Sequence, residues 1–450
     1  MGGLLFVVGA LFLGAVSSFG QDKRESSYSP VIEQPFDMVM AHDKSQKATL
    51  MKRQMDLLNE RYDLSKNVAT DATMSGGKPL PVGPTAKLKL GLTWEKLARM
   101  SPENIRNEGV FPYLPLPHPF HPTGGMIFTQ AQIRQFPRLE RFDLDFDLPE
   151  QFLPEYPPPM YLTTHKDMGD VSQGQVISIE NYYEIFNGIL NPKQLEGLRL
   201  LLTQFPQQQF NATADRKSEK PSLGVACFDC HVNGHTSGAI HLVGDIRPQA
   251  QRNRIETPSL RGVNIQRLFG SQRALKTVED FTEFEQRGAY FDGDHLTAAK
   301  KGANVLDRGS QVQFMAEFQE LLDFPPAPKL DIYGRLDPSK ATESEKRGES
   351  IFVGKGKCAT CHEPPYYTDN LMHDLQVERF YKSQTINDQY IHAEGPIKTF
   401  PLRGIKDSPP YFHDGRLLTL EDVVEFFNLV QQLNLNGQEK RDLVAFLRQL

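Results

Sequence analysis

The chain has 450 residues, 39% hydrophobic and 24% charged, which describes a soluble globular protein too long for one core and predicts two or three domains. Its 50 Lys and Arg against 56 Asp and Glu give a formal charge of −6. That balance leaves no footprint for nucleic acid or anionic lipid, and only a slight preference for a partner with positive surface.

The one long apolar run opens the chain, LLFVVGALFLGAV over residues 4–16, followed by small residues and the polar QDKRESS. It is short for a bilayer span, so a cleaved secretory signal over residues 1–20 is expected, with an uncleaved membrane anchor as the alternative. Ser18 and Gly20 suit the small-residue cleavage pattern, although the usual Lys or Arg before the apolar run is missing. Export follows from this reading, to the periplasm in a bacterium.

Residues 21–166 form a different kind of segment. Between Pro112 and Pro159 lie 11 of the chain's 32 prolines, in runs such as FPYLPLPHPFHP. Proline removes donors and fixes φ, so this extension is expected to be irregular, wrapping a surface rather than forming a core. Helices are expected in it only over residues 45–64 and 93–100.

Residues 167–335 and 336–450 each contain a helix start followed by a cysteine motif. Asn191-Pro192 begins the first helix, which should run to about residue 205, with Gly197 and Leu201 on one face. Thr342 and Glu345 can form a capping box for the second, with Gly348 and Phe352 sharing a face. The motifs are Cys227-Phe-Asp-Cys230-His231 and Cys358-Ala-Thr-Cys361-His362, and no cysteine is left over. Cys-x-x-Cys-His reads as covalent haem attachment: the thiols add to the two vinyl groups on one porphyrin edge, and the next imidazole falls under the iron. A four-cysteine zinc site gives no reason for a histidine after both pairs, and a redox dithiol wants a βαβ context that is absent. Two covalently bound haem c groups are the expected cofactors, with His231 and His362 as iron ligands.

Further candidate ligands follow each motif. His241 lies ten residues after His231 and His373 eleven after His362; either would make its haem six-coordinate if it reached the far face. His235 is too close to its motif to cross the porphyrin, and His413 and Met372 are other candidates for the second haem. For each, a hydrogen-bonded structural role is the competing reading.

The chain repeats internally. Arg403-Gly404-Ile405 follows Arg261-Gly262-Val263 at an offset of 142, and LTLEDVVEFF then falls on KTVEDFTEFE without gaps. Thr277 and Thr419 are expected N-caps, and Leu420, Val423, Val424 and Phe427 mark one apolar helix face. The last helix carries a Leu443, Phe446, Leu447 and Leu450 stripe that should pack against the helix holding Gly348.

Two tandem Cys-x-x-Cys-His units, each followed by a Leu-Arg-Gly turn, resemble the bacterial di-haem cytochrome c peroxidase superfamily, which includes the di-haem enzyme that matures methylamine dehydrogenase. SPPYFHDGRLLTLEDVVEFF, from residue 408, and TPSLRG, from residue 257, carry the likeness, which covers about residues 170–450. The resemblance implies a mainly α fold of two tandem cytochrome c-like haem domains, here with the proline-rich N-terminal extension in front. It implies that Arg261 and Arg403 pair with haem propionates. It implies reduction of hydrogen peroxide at one haem with electrons passed through the other from a small redox protein, a cytochrome or cupredoxin. This chain departs from the pattern at Phe427, where relatives place a Met or Tyr axial ligand, and at Ser271, where peroxidases have an aromatic between the haems. The peroxidase pocket's distal carboxylate has no clean match. Glu283, Glu285, Asp292 and Asp294 are the nearest candidates for moving the peroxide proton, with a solvated helix role as the alternative for each. A non-catalytic electron-transfer cytochrome, or an oxidase or oxygenase of another substrate, are the competing functions.

Overall fold

The computed structural model describes residues 36–65, 67–119, 126–140, 148–204, 225–243, 253–289, 305–387, 389–390 and 394–450. The expected signal segment and the candidates Asp292 and Asp294 lie outside the described residues. The described chain is rich in helices: α1 (Phe36–Arg61), α2 (Trp94–Ala98), α3 (Pro102–Glu108), α4 (Gln130–Gln135), α5 (Tyr182–Phe186), α6 (Pro192–Leu202), α7 (Cys227–Cys230), α8 (Val278–Ala289), α9 (Val305–Gln319), α10 (Glu343–Val353), α11 (Leu420–Val430) and α12 (Gly437–Leu447). Its strands are short. The largest described sheet is antiparallel, with Ile240–Val243 between Met126–Ile127 and Asn253–Glu256.

Two close helix pairs frame the cysteine motifs, and local chemistry starts each of them. Asn191 caps α6 in a capping box with Gln194, behind Pro192 in the first turn. Thr342 and Glu345 form the same box on α10. A Cβ on Gly197 would stand 1.9 Å from the Phe314 carbonyl oxygen of α9, and one on Gly348 would stand 2.0 Å from the Asp442 carbonyl oxygen of α12. The backbones approach so closely that only glycine fits. The stripe Leu443, Phe446 and Leu447 of α12 is buried, as is Leu450 beyond it.

The repeat is visible in the backbone at the offset of 142. Gly262 and Gly404 both take left-handed φ, 74° and 72°, before short turns at Val263–Ile265 and Ile405–Asp407. The bridges Phe269 to Leu275 and Tyr411 to Leu417 correspond, and α8 and α11 start at Val278 and Leu420. Thr277 Oγ1 accepts from Asp280 N at 3.1 Å, as Thr419 Oγ1 does from Asp422 N.

The front segment differs from the sequence expectation in its packing and in its number of helices. It enters a core rather than wrapping a finished surface: Leu58, Tyr62, Leu97, Ile105, Phe111, Tyr113 and Leu116 pack in one cluster with Phe380, Val424, Phe426 and Phe446. In the proline-rich run the buried Phe111 and Tyr113 are separated by a half-buried Pro112, the alternation of an extended chain. Phe111 stacks on Phe380 at 5.2 Å between ring centres. The carbonyls that the prolines leave without ladder partners accept from arginine instead, Arg61 Nη1 reaching Pro115 O at 3.0 Å and Arg53 Nη2 reaching Pro119 O at 2.7 Å. The two expected helices are present as α1 and α2; α3, capped by Ser101, and α4, capped by Thr129, are additional to them.

Buried aspartates of the C-terminal part fasten this segment. Asp422, at the start of α11, accepts from Thr85 N, Thr85 Oγ1, Ala86 N, Tyr113 Oη and Thr419 Oγ1. Asp414 accepts from Leu116 N at 2.8 Å, and Asp407 from Ser75 N at 2.9 Å.

Candidate haem centres

Cys227 and Cys230 lie on α7, Cys358 opens the turn Cys358–Thr360 and Cys361 follows it, and no disulfide joins any of the four. The histidine after each pair is held in the same way. His231 Nδ1 lies 2.9 Å from Pro258 O, and His362 Nδ1 lies 2.8 Å from Tyr367 O. A carbonyl only accepts, so Nδ1 carries the proton and Nε2 keeps its lone pair, which is how an iron-bound imidazole is oriented. Burial keeps both rings neutral: it draws His231 down to about 4 and lowers His362 as well. The Phe400 main chain also lies against the His362 ring, and Phe400 occupies the repeat position of Pro258. Paired thiols followed by a neutral imidazole with a fixed tautomer fit haem c.

Other segments fix the first motif. Asp229, inside it, accepts Ala226 N and both Arg138 terminal nitrogens, the latter at 2.8 Å each. Asn233 donates to Pro158 O and Gln175 O and accepts from Ile177 N. The second motif is joined by Asp369, whose N–H donates to Cys361 O at 2.9 Å.

His373 stands on Asp369, Nε2 to Oδ2 2.6 Å, and these two with Cys361 are the one trio of close potential metal ligands among the described residues. Once Cys361 is a thioether this trio loses its thiolate. No four-cysteine zinc cluster exists among the described residues. His241 lies on the strand Ile240–Val243, opposite Met126 and Ile255. His235 is buried between Ser259 Oγ and Asp407 O. His413 offers its carbonyl to Glu256 N at 2.7 Å, and Met372 lies on a two-residue strand beside Lys398. Phe427 is half-buried, 6.0 Å from Phe412 between ring centres.

Both arginines of the Leu-Arg-Gly turns bind protein. Arg261 Nη1 pairs with Asp407 Oδ2 at 3.0 Å, Nη2 donates to Pro159 O, and the guanidinium lies 5.5 Å from the centre of the Tyr161 ring. Arg403 Nε donates to Leu450 O at 2.8 Å and Nη2 to Pro325 O. Glu283 and Glu285 both lie half-buried on α8.

Three residues that sequence reasoning passed over stand out here. Asp407 joins Arg261, Ser75 and, through its carbonyl, His235. Glu256 bonds Thr236 Oγ1 at 3.0 Å, and burial raises its pKa well above the usual carboxylate range. Lys398 is 3% exposed. Glu256 and Lys398 each stand five residues before the repeated arginine, so the repeat itself was the signal that could have found them.

Comparison with known proteins decides the kinship. The cytochrome-c peroxidase IdrP2 of Denitromonas iodatirespirans is 30% identical over 173 residues, covering 30% of this chain and 47% of that protein. The methylamine utilization protein MauG of Methylorubrum extorquens is 30% identical over 150 residues, covering 30% and 42%. The cytochrome c551 peroxidase of Nitrosomonas europaea is 30% identical over 185 residues, covering 39% and 52%. Over these stretches the chain is similar to cytochrome-c peroxidases and to MauG. It spans about half the length of these curated relatives of the superfamily, and no protein-family model matches it. Haem c at both motifs is the cofactor assignment that this kinship and the motif chemistry share. The crystal structure of a MauG-like protein associated with microbial copper homeostasis is 19% identical, covers 68% of this chain and 94% of its own, and gives a TM-score of 0.40. No helix among the described residues is long and apolar enough to cross a membrane.

Proposed function

We propose that the protein is an exported di-haem c-type cytochrome with peroxidase-like activity, built from two tandem cytochrome c-like domains behind the proline-rich segment. The observation that carries this reading is the matched setting of His231 and His362, each with Nδ1 on a main-chain carbonyl and each following a cysteine pair. When bound, haem supplies one-electron redox chemistry and, at an iron with an open face, reductive cleavage of the peroxide O–O bond. One hydrogen peroxide, two protons and two electrons from a small cytochrome or cupredoxin give two waters.

The chain's own residues have distinct tasks in this scheme. His231 and His362 would hold the cofactors by Nε2, with their ring orientation set by Pro258 O and Tyr367 O. Glu283 or Glu285 moves a proton from the inner to the outer peroxide oxygen. Asp407 and Arg261 hold the two haem-bearing parts in fixed relation. Phe427 has no atom able to ligate iron, which favours a catalytic protein over a purely electron-transferring one.

The test is electron paramagnetic resonance of the haem-loaded protein across its redox states, followed by peroxide turnover with a reduced small cytochrome. A high-spin haem with peroxide-dependent oxidation of the donor is expected. Two low-spin haems in every state, with no turnover, would leave electron transfer alone.

A further inference from the structure

The arginines that the family resemblance assigns to haem propionates, Arg261 and Arg403, already have protein acceptors for their terminal groups. Another buried cation, Lys398, has no acid partner among the described residues. The Lys398 ammonium donates to Gln266 Oε1 at 2.9 Å and lies 5.4 Å and 5.3 Å from the ring centres of Phe269 and Phe400. Among the described residues no carboxylate pairs with it, and the charge acting on it is a second cation, Arg273, whose buried Nε has no acceptor. Burial pulls the ammonium down to about 7. One amide oxygen and two ring faces do not replace the hydration of an ammonium, so the pocket is electrically incomplete.

Its position says what completes it. Lys398 N donates to Ser271 O at 2.9 Å, so the residue sits where the 266–271 loop of the first half meets the second half. Two residues on, the Phe400 main chain touches the His362 ring. Haem c brings two carboxylates, which when buried need positive partners as much as Lys398 needs a negative one. At the same repeat position the first half has an acid, Glu256, bonded to Thr236. The cation is therefore a feature of the second site and not of the repeated fold.

We propose that Lys398, with Arg273 beside it, receives a propionate carboxylate of the haem attached at Cys358 and Cys361. This rests on the haem reading above, and deepens it. The test uses the haem-loaded protein and its Lys398→Gln, Lys398→Arg and Arg273→Gln variants. Covalent haem is counted by haem staining, propionate bending modes are read by resonance Raman, and the two midpoint potentials by spectroelectrochemistry. Lys398→Gln is expected to keep both haems, shift the propionate band of one and lower that haem's potential, because loss of a nearby positive charge favours the oxidised iron. Lys398→Arg should restore both signals, and Arg273→Gln should move the same band by less. Unchanged bands and potentials in Lys398→Gln with both haems attached would overturn the proposal. If Lys398→Gln does not load haem, Arg273→Gln decides by the same criteria: a shift confined to one haem supports the proposal and no shift overturns it. A wild-type protein without haem sinks the haem reading itself, a result distinct from all of these.

Discussion

The Arg261 guanidinium and the Asp407 carboxylate meet at 3.0 Å with each side chain only 4% exposed. Asp407 belongs to the turn after the second Leu-Arg-Gly, Arg261 to the first, so each repeat's turn supplies half of one buried pair. Ser75 N on the same carboxylate and His235 Nε2 on the Asp407 carbonyl bring three regions to one residue.

Breaking this pair from one side should be costly. Asp407→Leu leaves a buried guanidinium without its anion, a loss of roughly 3–5 kcal/mol. The double variant Arg261→Met with Asp407→Leu should recover a large part of it, because no charge is left stranded. Urea unfolding of the two singles and the double gives the coupling, and additive losses would show that the two side chains act separately.

Gly348→Ala should destabilise the protein by about 1–3 kcal/mol, because the added methyl meets the Asp442 carbonyl and α10 must move away from α12. Gly197→Ala should behave alike against Phe314. Gly309, exposed on α9 with nothing within 4 Å of an added Cβ, is the control. Gly309→Ala should instead stabilise by about 0.5–1 kcal/mol through helix propensity. Thermal unfolding of the three variants separates close packing from a general intolerance of glycine replacement.

Asp442 accepts from Ser344 Oγ, both Arg347 Nε and Nη2, and Gln438 Nε2, linking α12 to α10. The Arg347 guanidinium leads in holding its carboxyl down at about 2. A carboxyl whose folded pKa lies below its unfolded value stabilises the fold above the unfolded value and loses that contribution as pH falls toward the folded one. Stability should therefore drop between about pH 4 and pH 2, and Asp442→Asn should be less stable at neutral pH with a flatter acid limb. Denaturant midpoints measured across that range check both signs.

Glu283 and Glu285 lie one turn into α8, half-buried. If either moves the peroxide proton, replacing both by alanine should lower peroxide turnover by about 10²–10⁴-fold with both haems retained. Unchanged turnover in the double variant removes them from the reaction and leaves them as helix-surface residues.

Much of the frame was legible because it rests on short-range chemistry. Caps at Asn191, Thr342 and Thr419, the glycines of the close helix pairs and the offset of 142 all came from residue type and spacing, and each has its counterpart in the backbone. What sequence reasoning missed depends on partners far along the chain. The front segment looked like a surface wrap because prolines suppress regular structure, but Phe111 and Tyr113 alternate inward and Asp422 satisfies the Thr85 and Ala86 amides from 337 and 336 positions away. Likewise Asp407 reads as an ordinary turn residue until Arg261, Ser75 and His235 are seen around it. The resemblance assigns Arg261 and Arg403 to haem propionates; in the structure a protein carboxylate and main-chain carbonyls accept from them.

The haem reading requires iron porphyrin thioether-bonded at Cys227 and Cys230 and again at Cys358 and Cys361. Intact-mass measurement of the denatured protein, produced in a host that assembles such bonds, tests it most directly. A mature chain heavier by two haem masses is expected, falling to one in each variant with a cysteine pair replaced by alanine. A chain at its bare polypeptide mass, colourless or holding zinc, would contradict the account.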